Sequence, residues 1–138
     1  MNAMEKVGWT ELIVSIVAVA VATLLVPWLG SQASGSAFSL LALIGLLSYV
    51  FMRPRGDRIV IDERDREIAK KATSVGVGTA WFTLSAAVAR ATVWASYSNT
   101  HAVSTVFLNW LIWVQFAICF GVKGLASVVM YRRQRHAS

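Results

Sequence analysis

Between Glu11 and Arg53 the chain carries no charged residue at all. A charge-free stretch of that length cannot form the surface of a water-soluble domain. Residues 12–29 and 37–52 within it are strongly apolar. Between them, Gly30-Ser31-Gln32-Ala33-Ser34-Gly35-Ser36 has the small, polar composition of a tight turn. A helix rises about 1.5 Å per residue and the hydrocarbon core of a bilayer is about 30 Å thick, so one crossing needs roughly 20 residues. Residues 9–30 satisfy this directly. The second run does so only over 35–52, with Ser36 and its neighbours bonding back to the helix.

Two further apolar runs follow, 72–95 with Arg90 as its one charge and 102–130 with Lys123 as its one charge. The last exceeds a single crossing, so it should tilt or project beyond the hydrocarbon, and Gly121 and Gly124 are candidate bend points. The expectation is an all-α integral membrane four-helix bundle, a single domain over 1–138. A cleaved signal peptide is disfavoured: Glu5 stands beside Lys6, the apolar core exceeds the usual length and includes Pro27, and Ala33-Ser34-Gly35 is only a weak cleavage site.

Composition agrees. Apolar residues make up 57% and charged residues 14%, against about 45–50% and about 25% in soluble domains. The formal charge of +6 is gathered in short clusters: Lys6, the loop 53–71, and Arg132, Arg133 and Arg135. The connections near 30–36 and 96–102 have no Lys or Arg. By the positive-inside rule, both termini and the charged loop are cytoplasmic, and the partner of this basic charge is anionic lipid rather than nucleic acid. Trp28, Trp94, Tyr97 and Trp110 fall near the outer boundary and Trp9, Tyr49 and Tyr131 near the inner one, where amphipathic rings concentrate. Trp81 and Trp113 lie deeper and are expected to fill space between helices.

In the charged loop, Pro54 and Gly56 stop the second helix, and Ile59-Val60-Ile61 suits the membrane interface. Asp62 then reads as a helix cap, with Asp65 three positions on as in a capping box. Asp62 with Arg66 and Glu67 with Lys71 stand four apart and can pair. Ile68 and Ala72 share a face, so an amphipathic helix should start near Glu63 and run unbroken into the third span. The series Asp62-Glu63-Arg64-Asp65, then Ile68, then Lys71-Ala72 resembles the D-E-R-D-x-x-I-x-x-K-A signature of a family of small prokaryotic membrane proteins of unknown function with about four spans. The resemblance implies a bacterial or archaeal cytoplasmic (inner) membrane protein and a regulatory, soluble partner docking at the loop 53–71; it supplies no activity.

Ionisable groups in spans are functional candidates by default. Glu11 and Lys123 fall at similar depth on the inner side and could form an intramembrane pair; Arg90 sits toward the outer end. Gly76 and Ala80 have the small-x-x-x-small spacing that lets two helix backbones approach, in the monomer or across a dimer, and Ser85 and Ala89 extend the stripe. Asp62, Glu63 and Asp65 alternate with Arg64 and Arg66, which argues against a metal site. Cys119 lies alone in an apolar run, and His101 and His136 have no ligand partner nearby.

No nucleophile–base pair, phosphate loop or cofactor ligand set is present, which argues against an enzyme and against any cofactor. The expected function is that of a small non-catalytic membrane protein acting by association, as a homo-oligomer or an accessory subunit of a larger complex. Asp62, Glu63, Arg64, Asp65, Ile68, Lys71, Gly76 and Ala80 are its candidate interaction residues. The alternative is a small transporter or ion channel using Glu11 and Lys123.

Overall fold

The computed structural model describes residues 3–30, 39–52, 62–98 and 102–135. They form four helices: α1 (Ala3–Leu29), α2 (Ala42–Met52, led in by a 3-10 turn at Ser39–Leu41), α3 (Glu63–Tyr97) and α4 (Thr105–Arg135). Among the described residues there is no strand. The helices α1, α3 and α4 are long and apolar enough to cross a membrane; at about 1.5 Å per residue they measure roughly 40, 52 and 46 Å. The second expected span is seen only as α2 and its lead-in turn, about 21 Å on the same basis. The parts of that span before Ser39, the segment Arg53 to Ile61, His101 and His136 lie outside the described residues.

Local sequence accounts for the helix ends. Pro27 falls in the last turn of α1, and the helix stops at Gly30, whose φ of 80° is a left-handed conformation that glycine adopts without cost. Its N–H donates to the Val26 carbonyl at 3.0 Å. Asp62 caps α3 as expected, its carboxylate accepting from the Glu63 N–H at 2.8 Å. Asp65, three positions on, is buried and accepts a hydrogen bond from α4.

The interior is inverted relative to a soluble protein. The buried face of α1 runs Glu5, Gly8, Glu11, Ser15, Ala18, Ala22, a three-four spacing of small and polar residues. The large side chains Ile13, Ile16, Val17 and Leu24 point outward. Lipid tails are as apolar as leucine, so burying leucine between helices in a membrane gains little, and close approach of backbones through small residues gains more. The contacts of α4 follow that rule. A Cβ on Gly124 would stand 2.6 Å from the Gly8 carbonyl oxygen and the Leu12 nitrogen, and one on Gly76 would stand 2.6 Å from the Cys119 carbonyl oxygen. Gly121 likewise faces Ser15. Neither Gly121 nor Gly124 ends or interrupts α4, which is helical throughout; both serve contact with α1.

The order of contacts fixes directions. Gly8 meets Gly124 and Ser127, and Ser15 meets Gly121, so α1 and α4 are antiparallel. Asp65 meets Tyr131, Gly76 meets Cys119 and Lys123, and Thr83 meets Gln115, so α3 and α4 are antiparallel too. Hence α1 and α3 are parallel, and the starts of α1 and α3 share one end of the molecule with the end of α4. The helix α2 packs chiefly on α1, and α3 chiefly on α4. Among the described residues the main helix contacts run in the order α2–α1–α4–α3. A cluster of Ala18, Ala22, Leu41, Ile44 and Ala117 joins α1, α2 and α4, flanked by Trp110, Trp113 and Phe120.

This packing makes two glycines distinguishable. Gly124→Ala should lower stability by about 1–3 kcal/mol, because the methyl group meets backbone on two sides and the helices must separate. Gly78→Ala, with nothing within 4 Å, should be neutral or stabilising by up to about 1 kcal/mol through helix propensity. Unfolding of both variants in mixed detergent reads the difference; equal stabilities would contradict the close crossing.

Candidate functional site

The polar groups of the described helices gather in the half of the molecule that holds the starts of α1 and α3. Glu11 sits on the small-residue face of α1 and is 3% exposed. Lys123 sits on α4 one residue before Gly124, and its ammonium donates to the Glu11 carboxylate at 2.6 Å. Both helices are needed for this: Gly124 lets α1 close onto α4, and Gly76 lets α3 close onto the Lys123 backbone and Cβ. The lysine stem is thereby held between two helices with its charged end directed at α1. At a shielded depth such a pair holds only if each charge keeps the other, since burying either alone is far more costly than burying both.

One turn beyond Glu11 on α1 lies Ser15, buried against Gly121, with its hydroxyl unpartnered among the described residues. On the other flank, Gln115 of α4 bridges to α3. Its amide lies 3.1 Å from the Thr83 hydroxyl and, turned to satisfy its neighbours, donates to the Ala80 carbonyl at 2.7 Å.

A second cluster lies nearer the helix ends. The Tyr131 hydroxyl donates to Asp65 at 2.8 Å, Arg64 donates from Nε to the Gln134 side-chain oxygen at 2.8 Å, and the Arg132 guanidinium lies 5.2 Å from the centre of the Trp9 ring. The last distance is within cation–π range. Of the candidate interaction residues, Asp65 and Ile68 are buried, with Ala72 and Gly76 continuing the same stripe against α4. Arg64 is tied to the tail of α4, and Lys71 pairs with Glu67 at 2.7 Å on the exposed face. Glu63 is exposed and Asp62 is engaged in capping. Asp62 and Arg66, also four apart, make no ion pair. Asp65, Ile68 and Ala72 of the Asp62–Ala72 signature are thus internal packing, Asp62 and Arg64 are exposed but engaged within the chain, and Glu63 and Lys71 face outward.

Gly76 contacts α4 of the same chain, with Ala80 partly buried beside Gln115; of the two contacts the spacing allows, within the monomer or across a dimer, the described residues show the first. Two other expectations change. Ser85 and Ala89 do not extend the stripe; they are exposed, on a different side of α3. Trp81 does not fill space between helices. It is 70% exposed, next to Phe82 at 75%, because the turn that brings Ala80 and Thr83 to α4 carries 81 and 82 away from it. Trp113 does pack inside, tilted against Phe116 at 6.4 Å, with its ring N–H donating to Asn109 at 3.1 Å.

Sequence reasoning missed the Gly8–Gly124 crossing and the Asp65–Tyr131 bond. The first had a signal in the three-four spacing of small and polar residues from Glu5 to Ala22. The second had none, since Asp65 and Tyr131 are 66 positions apart. Among the described residues no group of His, Cys, Asp or Glu could hold a metal ion. Compared with protein-family models, curated proteins and solved structures, the chain matches none.

The Glu11–Lys123 pair yields a double-mutant test. Lys123→Met alone strands a buried carboxylate and should cost about 3–5 kcal/mol, whereas Glu11→Gln with Lys123→Met should be closer to the parent than the sum of the two single losses. Unfolding free energies in detergent for the four proteins measure the coupling. Singles that add to within about 0.5 kcal/mol would mean the two charges are independent.

Proposed function

We propose that this chain is a four-crossing membrane protein without catalytic activity, which works by associating with itself or with a larger membrane complex. Helix direction supports the crossing number: α1 and α3 are parallel, so a return crossing between them is expected, and α2, which begins beside Ala18 and Ala22, supplies described helix for it. Both termini and the basic loop then share the cytoplasmic face of a prokaryotic inner membrane, in keeping with the clusters at Lys6, 53–71 and 132–135. The resemblance in the Asp62–Ala72 signature favours the same setting, and Glu63 and Lys71 are the outward-facing positions where a soluble partner would dock.

The observation that carries the association reading is the pair Trp81 and Phe82. Mid-helix, on the side of α3 away from its one main neighbour, they present two large rings to the surroundings. Tryptophan favours the headgroup level over the hydrocarbon interior, so an indole at mid-span is better satisfied by another protein helix than by lipid tails. The transport alternative rests on Glu11 and Lys123, and it is weakened by their arrangement: the pair is closed on itself, and the backbones around it touch.

Mass measurement in mild detergent tests this directly. The expected result is a particle containing more than one 15.1 kDa chain or a co-purifying protein, with Trp81→Ala shifting it toward the single chain. A strict monomer with no companion would overturn the association reading. Cysteines placed singly at Lys6, Lys70 and Arg135 in a Cys119→Ala background should be labelled from one side and those at Gly30 and Ala102 from the other; opposite sides for Lys70 and Arg135 would overturn the crossing number. Flux in liposomes that falls on Glu11→Gln would favour transport.

A further inference from the structure

Arg90 is the only charged residue between Lys71 and Lys123, and it makes no hydrogen bond or ion pair among the described residues. Its counter-charge cannot come from the acids of these helices. Glu5 and Glu11 lie on the first turns of α1, and Asp62, Glu63, Asp65 and Glu67 at the start of α3. Arg90 stands 14 residues beyond Gly76, the level of the Glu11–Lys123 pair, which is about 21 Å along α3. Asp57, outside the described residues, is five positions from Asp62 and 33 from Arg90. Arg90 is exposed beside an apolar groove, and an anion paired with it there would come from outside these helices.

The surroundings say what kind. Beyond Thr83 and Gln115 a cavity of about 720 Å³ opens between α3 and α4, lined by Ala87, Arg90, Ala91, Trp94, Val103 and Phe107 among others. That volume is within the range of about 300–1,000 Å³ typical of small-molecule sites. Apart from Arg90 and Ser104 the lining is alanine, valine and aromatic, and most of these side chains are exposed, so the cavity opens sideways to whatever surrounds the helices. Arg90 is seven residues, about 10 Å, short of the end of α3. From there its long side chain can reach headgroup depth while its stem stays among apolar groups. The first residues of α4, with N–H groups not used inside the helix, border the same space and add positive potential.

Resting on the membrane reading above, we propose that this groove is a phospholipid site: the lipid phosphate pairs with Arg90, and an acyl chain lies along Ala87, Ala91 and Phe107. Arginine suits phosphate because its planar fork can donate two parallel hydrogen bonds. An acyl chain suits an open-sided groove lined mostly by alanine, in which Arg90, Ser104 and the Trp94 ring N–H are the side-chain donors. The site belongs to the leaflet opposite the charged loop, where the chain has no other Lys or Arg.

The test uses the full chain in mild detergent, delipidated and titrated with dioleoyl phosphatidylglycerol, with bound lipid counted by native mass spectrometry. The parent should bind one lipid more tightly than any others. Arg90→Ala should weaken that binding about tenfold or more, the loss expected for one charge-assisted contact. Arg90→Lys should fall between. Ala87→Trp, which fills the groove and leaves the charge, should also weaken it, so two variants with different folding risks report on one site, and circular dichroism identifies either one that has lost helix. Inorganic phosphate should not compete with the lipid. Lipid binding unchanged in Arg90→Ala, or competition by inorganic phosphate at the parent's site, would overturn the proposal. So would a co-purifying protein whose loss in Arg90→Ala accompanies normal lipid binding, since that would assign the counter-charge to a protein carboxylate. Loss of the membrane reading itself would appear separately, as a parent protein that stays dispersed without detergent.

Discussion

Close approach of α1 and α4 at Gly8 and Gly124 is the constraint from which the rest of the structure follows. It is short enough that a single methyl group would collide with backbone, and it brings the Glu11 carboxylate to the Lys123 ammonium at 2.6 Å. Neither charge could be left alone at that depth without a large penalty, so the pair fixes the register of the two helices as firmly as the steric fit does. A slide of one turn along α4 would separate the charges by about 5 Å and put side chains where the glycine is. Gly76 adds α3 to the same level of α4, and three helices converge where the lysine stem leaves the backbone.

The first half of α3 is docked along α4. Asp65 on Tyr131, Arg64 on Gln134 and the buried Ile68 and Ala72 hold its first turns to the tail of α4. Further along, Gln115 ties to Thr83 and Ala80. The groove beside Arg90 lies beyond that tie, and Trp81, Phe82, Trp94 and Tyr97 face outward. On the other flank, α2 closes the upper part of α1 through Leu41 and Ile44. The chain thus has a locked half, rich in its own contacts, and an open half whose surfaces remain for lipid or protein. Association and lipid binding are both read from the open half; the locked half, which carries most of the charged candidates, holds the fold together.

Much of this was legible in residue order. Asp62 before Glu63 marked the start of α3 because a short carboxylate meets the free N–H groups of a helix end, and Glu67 with Lys71 marked a pair because four positions make one helical turn. Matching depth pointed to Glu11 and Lys123. Other features were hidden for physical reasons. Trp81 read as interior because sequence gives depth along a span but no rotation about its axis, and in an apolar run every face looks alike. Gly124 read as a bend because a glycine's lack of side chain serves flexibility and contact equally. Asp65 fitted a capping box at local spacing, and only the fold brought it the hydroxyl of a tyrosine 66 positions away.

Sequence alone determined that the chain is helical, that it has runs suited to hydrocarbon, and where the charged segments fall, because each of these depends on spacing along one strand of residues. Tertiary structure decided which faces are spent and which remain. It used Gly76 and Ala80 within the monomer, turned Asp65, Ile68 and Ala72 of the signature inward, exposed Trp81 and Phe82, and left Arg90 beside a groove without a counter-charge among the described residues. Those outcomes depend on which helix lies next to which, and in a chain whose apolar faces are nearly indistinguishable, a few close backbone crossings and two buried polar pairs settle that choice.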